Sequence, residues 1–432
     1  MRNIVLITAL LLTFACGLIA QENLSDYEKN WPQWRGPNNT GTALAGNPPI
    51  EWSEQQNIKW KTRIPGTGYS TPAIWGDNIF VTSSVSNEVG SASRMSVTYT
   101  KPVKFMVMAV DRATGKINWE HIAREEVPHE GQHSTTNWAA PSPITDGERV
   151  YASFGSRGLY CYTIDGKLLW EKDFGNMRIR MQFGEGCSPA LYKDRLIVNW
   201  DHEGQSFIVA LDAATGEEVW RKNRDESTTW MTPLIVEDSG KVHVIISATN
   251  SIVSYDISNG EVIWEDEGLT ANVIPTPVTA DGIIYVTSGY RGSALRAIRL
   301  SEAKGNITGT SAILWSYNQD TPYTPSPLLQ GGLLYFLKSN RGILTCLDVA
   351  TGKPHYANQR LDGIKDAYAS PAGVGDRVYL LSRDGASIVL QNSSEYKVLA
   401  QNSLNDNFDA SPVIVGDELY LRGHQYLYRV SK

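Results

Sequence analysis

Short apolar or alternating runs, separated by tight turns, recur along the chain at a steady spacing. Ile74-Trp75-Gly76-Asp77-Asn78-Ile79-Phe80-Val81 returns as Val374-Gly375-Asp376-Arg377-Val378-Tyr379-Leu380 and again as Ile414-Val415-Gly416-Asp417-Glu418-Leu419-Tyr420. Period-two runs of β-branched and aromatic residues predict strands, and Gly-Asp between them predicts hairpin turns. The units open on a Ser/Thr-Pro step, at Pro72, Pro143, Pro189, Pro233, Pro277, Pro327, Pro371 and Pro412, with intervals of 41 to 50 residues after the first, longer unit. A second hairpin ends several units in an Asp…Gly…aromatic mark: Asp111, Gly115 and Trp119; Asp212, Gly216 and Trp220; Asp256, Gly260 and Trp264; Asp348, Gly352 and Tyr356. The Asp can accept backbone N–H bonds across its turn, the Gly supplies a positive φ, and the aromatic covers the neighbouring sheet.

Four strands per unit of this length, with an aromatic end mark, are the pattern of a propeller blade. An open array of blades would leave sheet edges bare, so closure is expected. The last unit stops at Val430 after three strands, while Asn57-Ile58-Lys59-Trp60-Lys61 stands as an orphan final strand before the first unit. The expected fold is therefore all-β: an eight-bladed propeller of four-stranded antiparallel blades, with the strand around Trp60 completing the last blade. Residues 57–432 form that propeller, residues 21–56 an extension packing on it, and residues 1–20 an export signal.

Composition supports a folded, turn-rich protein: 41% hydrophobic, 10% aromatic and 20% charged residues, with 37 Gly and 20 Pro in 432. A net charge of −7 without a Lys-rich run argues against nucleic-acid binding, which needs a concentrated basic footprint. Arg2 and the apolar run Ile4 to Phe14 read as a signal segment too short to span a bilayer. Ala15-Cys16-Gly17 offers a lipid-attachment site and Leu18-Ile19-Ala20 an ordinary cleavage site, and both readings stay open. A periplasmic or extracellular monomer, in the first case tethered to the outer membrane, is expected. Cys161, Cys187 and Cys346 give an odd count in distant units, which predicts buried thiols rather than a disulfide framework.

The Asp-x-x-Thr-Gly-x-x-x-Trp turns, the Ser-Pro starts and the leader Trp31-Pro32-Gln33-Trp34-Arg35-Gly36-Pro37-Asn38 resemble the PQQ-binding-like β-propeller repeat family, over nearly all of Trp31 to Lys432. That family holds quinoprotein dehydrogenases, the assembly lipoprotein of the outer-membrane β-barrel machinery and secreted bacterial propellers. The resemblance specifies fold far more than function. A quinoprotein would imply PQQ with Ca²⁺ held by acidic and amide ligands, often below adjacent cysteines. This chain has no Cys-Cys pair, no Cys-x-x-Cys-His haem site and no Gly-x-Ser-x-Gly elbow. The leading expectation is a non-catalytic scaffold without a cofactor, binding an envelope protein or polysaccharide. A PQQ-dependent alcohol or sugar dehydrogenase is the alternative, and a module sensing a small anion or sugar a third.

Function in such a frame belongs to the links between strands two and three and to those leading into each blade, which share one face around the channel. The first set reads Ser156-Arg157-Gly158, Asp201-His202-Glu203-Gly204, Tyr290-Arg291-Gly292, Asn340-Arg341-Gly342, Arg383-Asp384-Gly385 and Arg422-Gly423-His424. The second set adds Tyr69, Trp138, Trp230, Tyr323, Tyr368 and Phe408. Arg forks beside flat rings could hold an anionic or sugar-like ligand; equally, Arg-Gly suits a hairpin whose Arg pairs with a blade-edge carboxylate. The candidate ligand-binding residues are thus Arg157, His202, Glu203, Arg291, Arg341, Arg383, Arg422, Trp138 and Trp230, with no metal site expected. The insertion from Ser83 to Phe105, containing Arg94, and the long link from His121 to Asn137 are further places for function. His129 and His133 have metal-ligand spacing if helical, but Pro128 and Gly131 favour a loop.

Overall fold

The computed structural model describes residues 24–93 and 95–432, so the expected export signal, Cys16 and Arg94 lie outside the described residues. Among the described residues the strands assemble into eight sheets of four antiparallel strands, two of which gain a short fifth strand in parallel, and one small three-stranded sheet. Blade 1, for example, runs Ala73–Trp75, Asn78–Ser86, Val103–Asp111 and Ile117–Glu126. The last sheet joins Val413–Val415, Glu418–Arg422 and Tyr426–Val430 to Ile58–Arg63, which pairs antiparallel with Tyr426–Val430. The N-terminal strand thus closes the ring as its orphan position in the sequence implied.

The Ser/Thr-Pro steps have a structural meaning that their spacing alone did not reveal. The backbone N–H before each Pro donates to the hydroxyl of the equivalent residue in the next blade. The run is Thr71 to Ser142, Ser142 to Ser188, Ser188 to Thr232, Thr232 to Thr276, Thr276 to Ser326, Ser326 to Ser370, Ser370 to Ser411 and Ser411 back to Thr71, at 2.8–3.3 Å. The innermost edge of a sheet would otherwise present bare N–H groups to the channel; the hydroxyl belt satisfies one per blade. Proline has no N–H to satisfy at the next position.

The Asp…Gly…Trp mark staples the rim. Asp111 Oδ1 accepts from the N–H and hydroxyl of Thr114, and Asp212 and Asp348 do the same with Thr215 and Thr351. Five outer-strand Trp residues then lay their rings on the turn glycine of the next blade and donate their indole N–H to a carbonyl there. Trp60 donates to Arg112 O at 3.0 Å, Trp119 to Ile164 O at 2.9 Å, Trp170 to Ala213 O at 3.1 Å, Trp220 to Ile257 O at 2.8 Å and Trp315 to Val349 O at 3.0 Å. Glycine is required twice over at these turns: Gly352 has φ +68, and a Cβ there would lie 2.5 Å from the Trp315 ring.

The extension packs along the face opposite the functional links. Trp31, fully buried, exchanges backbone bonds with Ile74 of blade 1, and Pro32 accepts from Thr145 of blade 2. Thr42–Ala43 adds in parallel to Ala372–Val374 of blade 7. Farther on, Trp52 stacks on Tyr379 and its backbone N–H donates to Asn402 Oδ1. Among the described residues no helix is long and apolar enough to cross a membrane. The three cysteines are free, and burial pushes the Cys161 and Cys346 thiols up to about 12.

Candidate functional site

Belt and leader together make a blind pocket on the axis. Its volume is about 230 Å³. Four belt residues, Thr71, Ser142, Ser188 and Ser411, ring its lower wall, and Trp34 of the leader lies beneath them. Next to Trp34, the Arg35 guanidinium enters the channel and donates to the carbonyls of Pro371 at 3.0 Å and Pro327 at 2.7 Å. It is buried without a carboxylate partner, and desolvation pulls it down to about 9. Above the belt the walls are aromatic: Tyr69, Trp230, Tyr323 and Tyr368 arrive on links leading into blades, and Phe183 joins them.

The polar groups at the mouth are matched to one another. Arg383 lies 4.1 Å over the Tyr368 ring and grips Asp409 through Nε at 2.6 Å and Nη2 at 3.2 Å. His424 Nε2 lies 2.8 Å from Asp409 Oδ2, the oxygen that Arg383 Nη2 also reaches, and its ring stacks on Tyr69 with centroids 4.5 Å apart. Burial opposes the charge on Arg383, but the bond to Asp409 and its charge outweigh that and hold the guanidinium protonated. On the facing side, the Thr135 hydroxyl lies 2.8 Å from His133 Nδ1 and donates to the Tyr368 hydroxyl at 3.2 Å. Burial, assisted by Arg383, pushes His133 below the ordinary imidazole range. Asp409 and His133 are the ionisable groups other than tyrosines in the lining.

The structure brings together only part of the set expected from sequence. Trp230 lines the pocket and donates to Gly184 O at 2.7 Å, and Arg383 braces it through Asp409 and Tyr368. Tyr69, Tyr323 and Tyr368 are also in place. The arginines do not converge. Arg157, 1% exposed, is locked to Glu185 at 2.7 Å. Arg422 is equally buried, donates to Gly423 O, has two nitrogens without a protein partner, and is pulled down to about 10 by desolvation. Arg291, at φ +53, leans over Tyr290, and Arg341 is exposed; neither lines the pocket.

His202 is a frame residue: its Nδ1 accepts from Arg178 N at 2.9 Å, so its Nε2 carries the proton toward Gln205 O at 3.2 Å. Glu203 accepts from the Thr228 hydroxyl at 2.9 Å, tying two links together. Trp138 and Phe408 turn inward, 3% and 1% exposed, because the links bearing them cross over the core rather than the channel.

Sequence reasoning missed Phe183 and Trp34 as pocket walls, and the segment it read as a loop around His133 carries a two-residue strand. Residues 129–133 read His-Glu-x-x-His, a zinc-site signature when helical, yet Gln132–His133 is a strand here. His129 Nε2 meets Met177 O at 2.8 Å, Glu130 accepts from Ile179 N at 2.9 Å, and His133 turns to Thr135. Among the described residues no group of three His, Cys, Asp or Glu is placed to hold a metal. Gln132–His133 instead pairs with Ser96–Thr98 of the blade 1 insertion, so the two long segments form one small sheet beside the mouth.

The family described as outer membrane protein assembly factor BamB matches residues 49–173, 103–229 and 204–432. The chain belongs to this family of PQQ-repeat propellers. Comparison with curated proteins by sequence finds no match. Among solved structures, this PQQ-repeat propeller is similar to BamB from Moraxella catarrhalis (14% identity, TM-score 0.59, 86% of this chain and 99% of that one). It is also similar to the computationally designed Ika8 protein (12%, 0.59, 85% and 98%). A third similar structure is the quinohemoprotein alcohol dehydrogenase from Comamonas testosteroni (11%, 0.60, 96% and 83%). At these identities the likeness shows the fold.

The last neighbour raises the question of a quinone. PQQ is a tricarboxylated quinone that needs cationic clamps and, in its dehydrogenases, a divalent cation beside it. The pocket of this propeller offers one carboxylate already spanned by Arg383 and His424, and one half-buried imidazole. These residues do not fit the group, and no chemical step follows through it.

Proposed function

We propose that this protein is a non-catalytic propeller scaffold of the bacterial cell envelope that docks a protein or polysaccharide partner at the aromatic mouth beside the blade 1 insertion. The observation that carries this reading is the blind, aromatic-walled pocket whose charged groups neutralise one another. Such a site has binding surface and fixed polar groups, with Asp409 spent on Arg383 and His424. The family description, outer membrane protein assembly factor BamB, supports a place at the envelope and a role in holding partners.

The test uses isolated envelope fractions, membranes and wall polysaccharide separately, with wild-type protein and the Trp230→Ala/Tyr368→Ala variant. Retention of the wild type and loss of the variant are expected. Equal retention of both removes the mouth from the function. In parallel, protein supplied with PQQ and Ca²⁺ is expected to give no dye-linked oxidation of alcohols or aldoses, and robust turnover overturns the scaffold reading.

A further inference from the structure

We infer that the axial pocket recognises the terminal residue of an uncharged glycan, one sugar ring inserted end-on; this rests on the docking reading above and names its partner.

Shape comes first. The leader crosses the far mouth, bonded to the inner strands of blades 1, 2 and 7, and Trp34 closes the cavity from below. Arg35 pins this stretch to the carbonyls of Pro327 and Pro371. A polymer cannot thread a channel stopped in this way; only a chain end, a side chain or a small molecule can enter. A volume of about 230 Å³ is below the roughly 300–1,000 Å³ of drug-sized sites and suits a single ring.

Chemistry then decides among ring-sized guests. Each belt hydroxyl that lines the pocket accepts one backbone N–H, yet among the described residues the hydroxyls of Thr71, Ser142, Ser188 and Ser411 donate to no acceptor. All four residues are at least nine-tenths buried. An apolar guest would leave those buried O–H donors without acceptors, which disfavours it. An anion would face Asp409, with Asp366 behind Arg383 at 3.5 Å. A cation would find Asp409 already held by Arg383 and His424.

A neutral polyhydroxyl ring meets every condition. Its oxygens accept from the belt, and its C–H faces lie against Tyr69, Trp230, Tyr323 and Tyr368.

The test is calorimetric titration of the full propeller with glucose, galactose, mannose, rhamnose and N-acetylglucosamine, with galacturonate and glucuronate, and with a linear and a cyclic α-1,4-glucan. Gly186→Val is the blocking variant. Gly186 lines the pocket, its φ is not positive, and a Cβ there meets only the Trp230 ring edge at 3.4 Å, so the backbone accepts a side chain on the pocket wall. At least one neutral sugar is expected to bind, about tenfold or more weaker to Gly186→Val, with an unchanged melting temperature. Any glucan that binds is expected to do so in its linear form and not as the endless ring.

Binding confined to uronates, equal binding of cyclic and linear glucan, equal binding by Gly186→Val, or silence across the panel overturns the inference. Retention on envelope fractions with a silent sugar panel removes only this inference and leaves the docking reading standing; loss of both removes the docking reading as well.

Discussion

Removing one hydroxyl from the belt isolates what the Ser/Thr-Pro steps do for the ring. Ser326 is fully buried, and its Oγ accepts the Thr276 N–H at 2.9 Å while its own N–H goes to Ser370 at 2.8 Å. Ser326→Ala leaves the second bond intact and strands the Thr276 N–H in a buried site, which costs about 1–3 kcal/mol. Unfolding entropy of about 2.1 cal/mol/K per residue over roughly 400 folded residues converts each kcal/mol into roughly 1.2 °C. The expected loss by differential scanning calorimetry is therefore roughly 1–4 °C. Ser326→Thr restores the acceptor, and Thr already occupies the belt at positions 71, 232 and 276, so it should recover most of the loss. Ser142→Ala, four blades away and sharing no partner with Ser326, should add its own decrement. An unchanged melting temperature for Ser326→Ala, or an equal loss for Ser326→Thr, refutes the belt as a stabilising ring.

Three other outcomes are expected. Gly352→Ala, with φ +68 and the Trp315 ring 2.5 Å from the added carbon, should destabilise by at least about 2 kcal/mol more than Gly76→Ala, where φ is +56 but nothing lies within 4 Å; equal losses in urea denaturation argue against the Trp–Gly staple. Glu185→Gln leaves Arg157 buried with a weakened partner and should cost about 3 kcal/mol, and replacing both by Met should recover much of it; a double variant no better than the single one contradicts this. His133 is held below the ordinary imidazole range, so the unfolded chain takes up a proton that the folded one resists, and stability should fall as pH drops below about 6.5. His133→Gln should flatten that slope in melting temperatures measured from pH 7.5 to 5, and an unaltered slope assigns the effect elsewhere, for instance to buried His243.

What the sequence determined by itself was the frame. Strand alternation and turn residues are local, so Gly-Asp hairpins, Asp…Gly…Trp turns and the orphan strand at Trp60 could be placed from spacing, and the staples between neighbouring blades repeat the same contacts each time. Aromatic residues on the links leading into blades were legible for the same reason, and Tyr69, Trp230, Tyr323 and Tyr368 do face the axis. Side-chain direction within an irregular link is not local. Arg157 and Arg383 occupy similar links, yet one is sealed against Glu185 and the other braces the mouth, because each follows the carboxylate that a different blade supplies. Trp138 and Phe408 share their neighbours' sequence setting but fill the core. Trp34 and Arg35 are far in sequence from the Pro327 and Pro371 carbonyls beneath the belt, so only closure of the whole ring could turn a channel into a blind pocket.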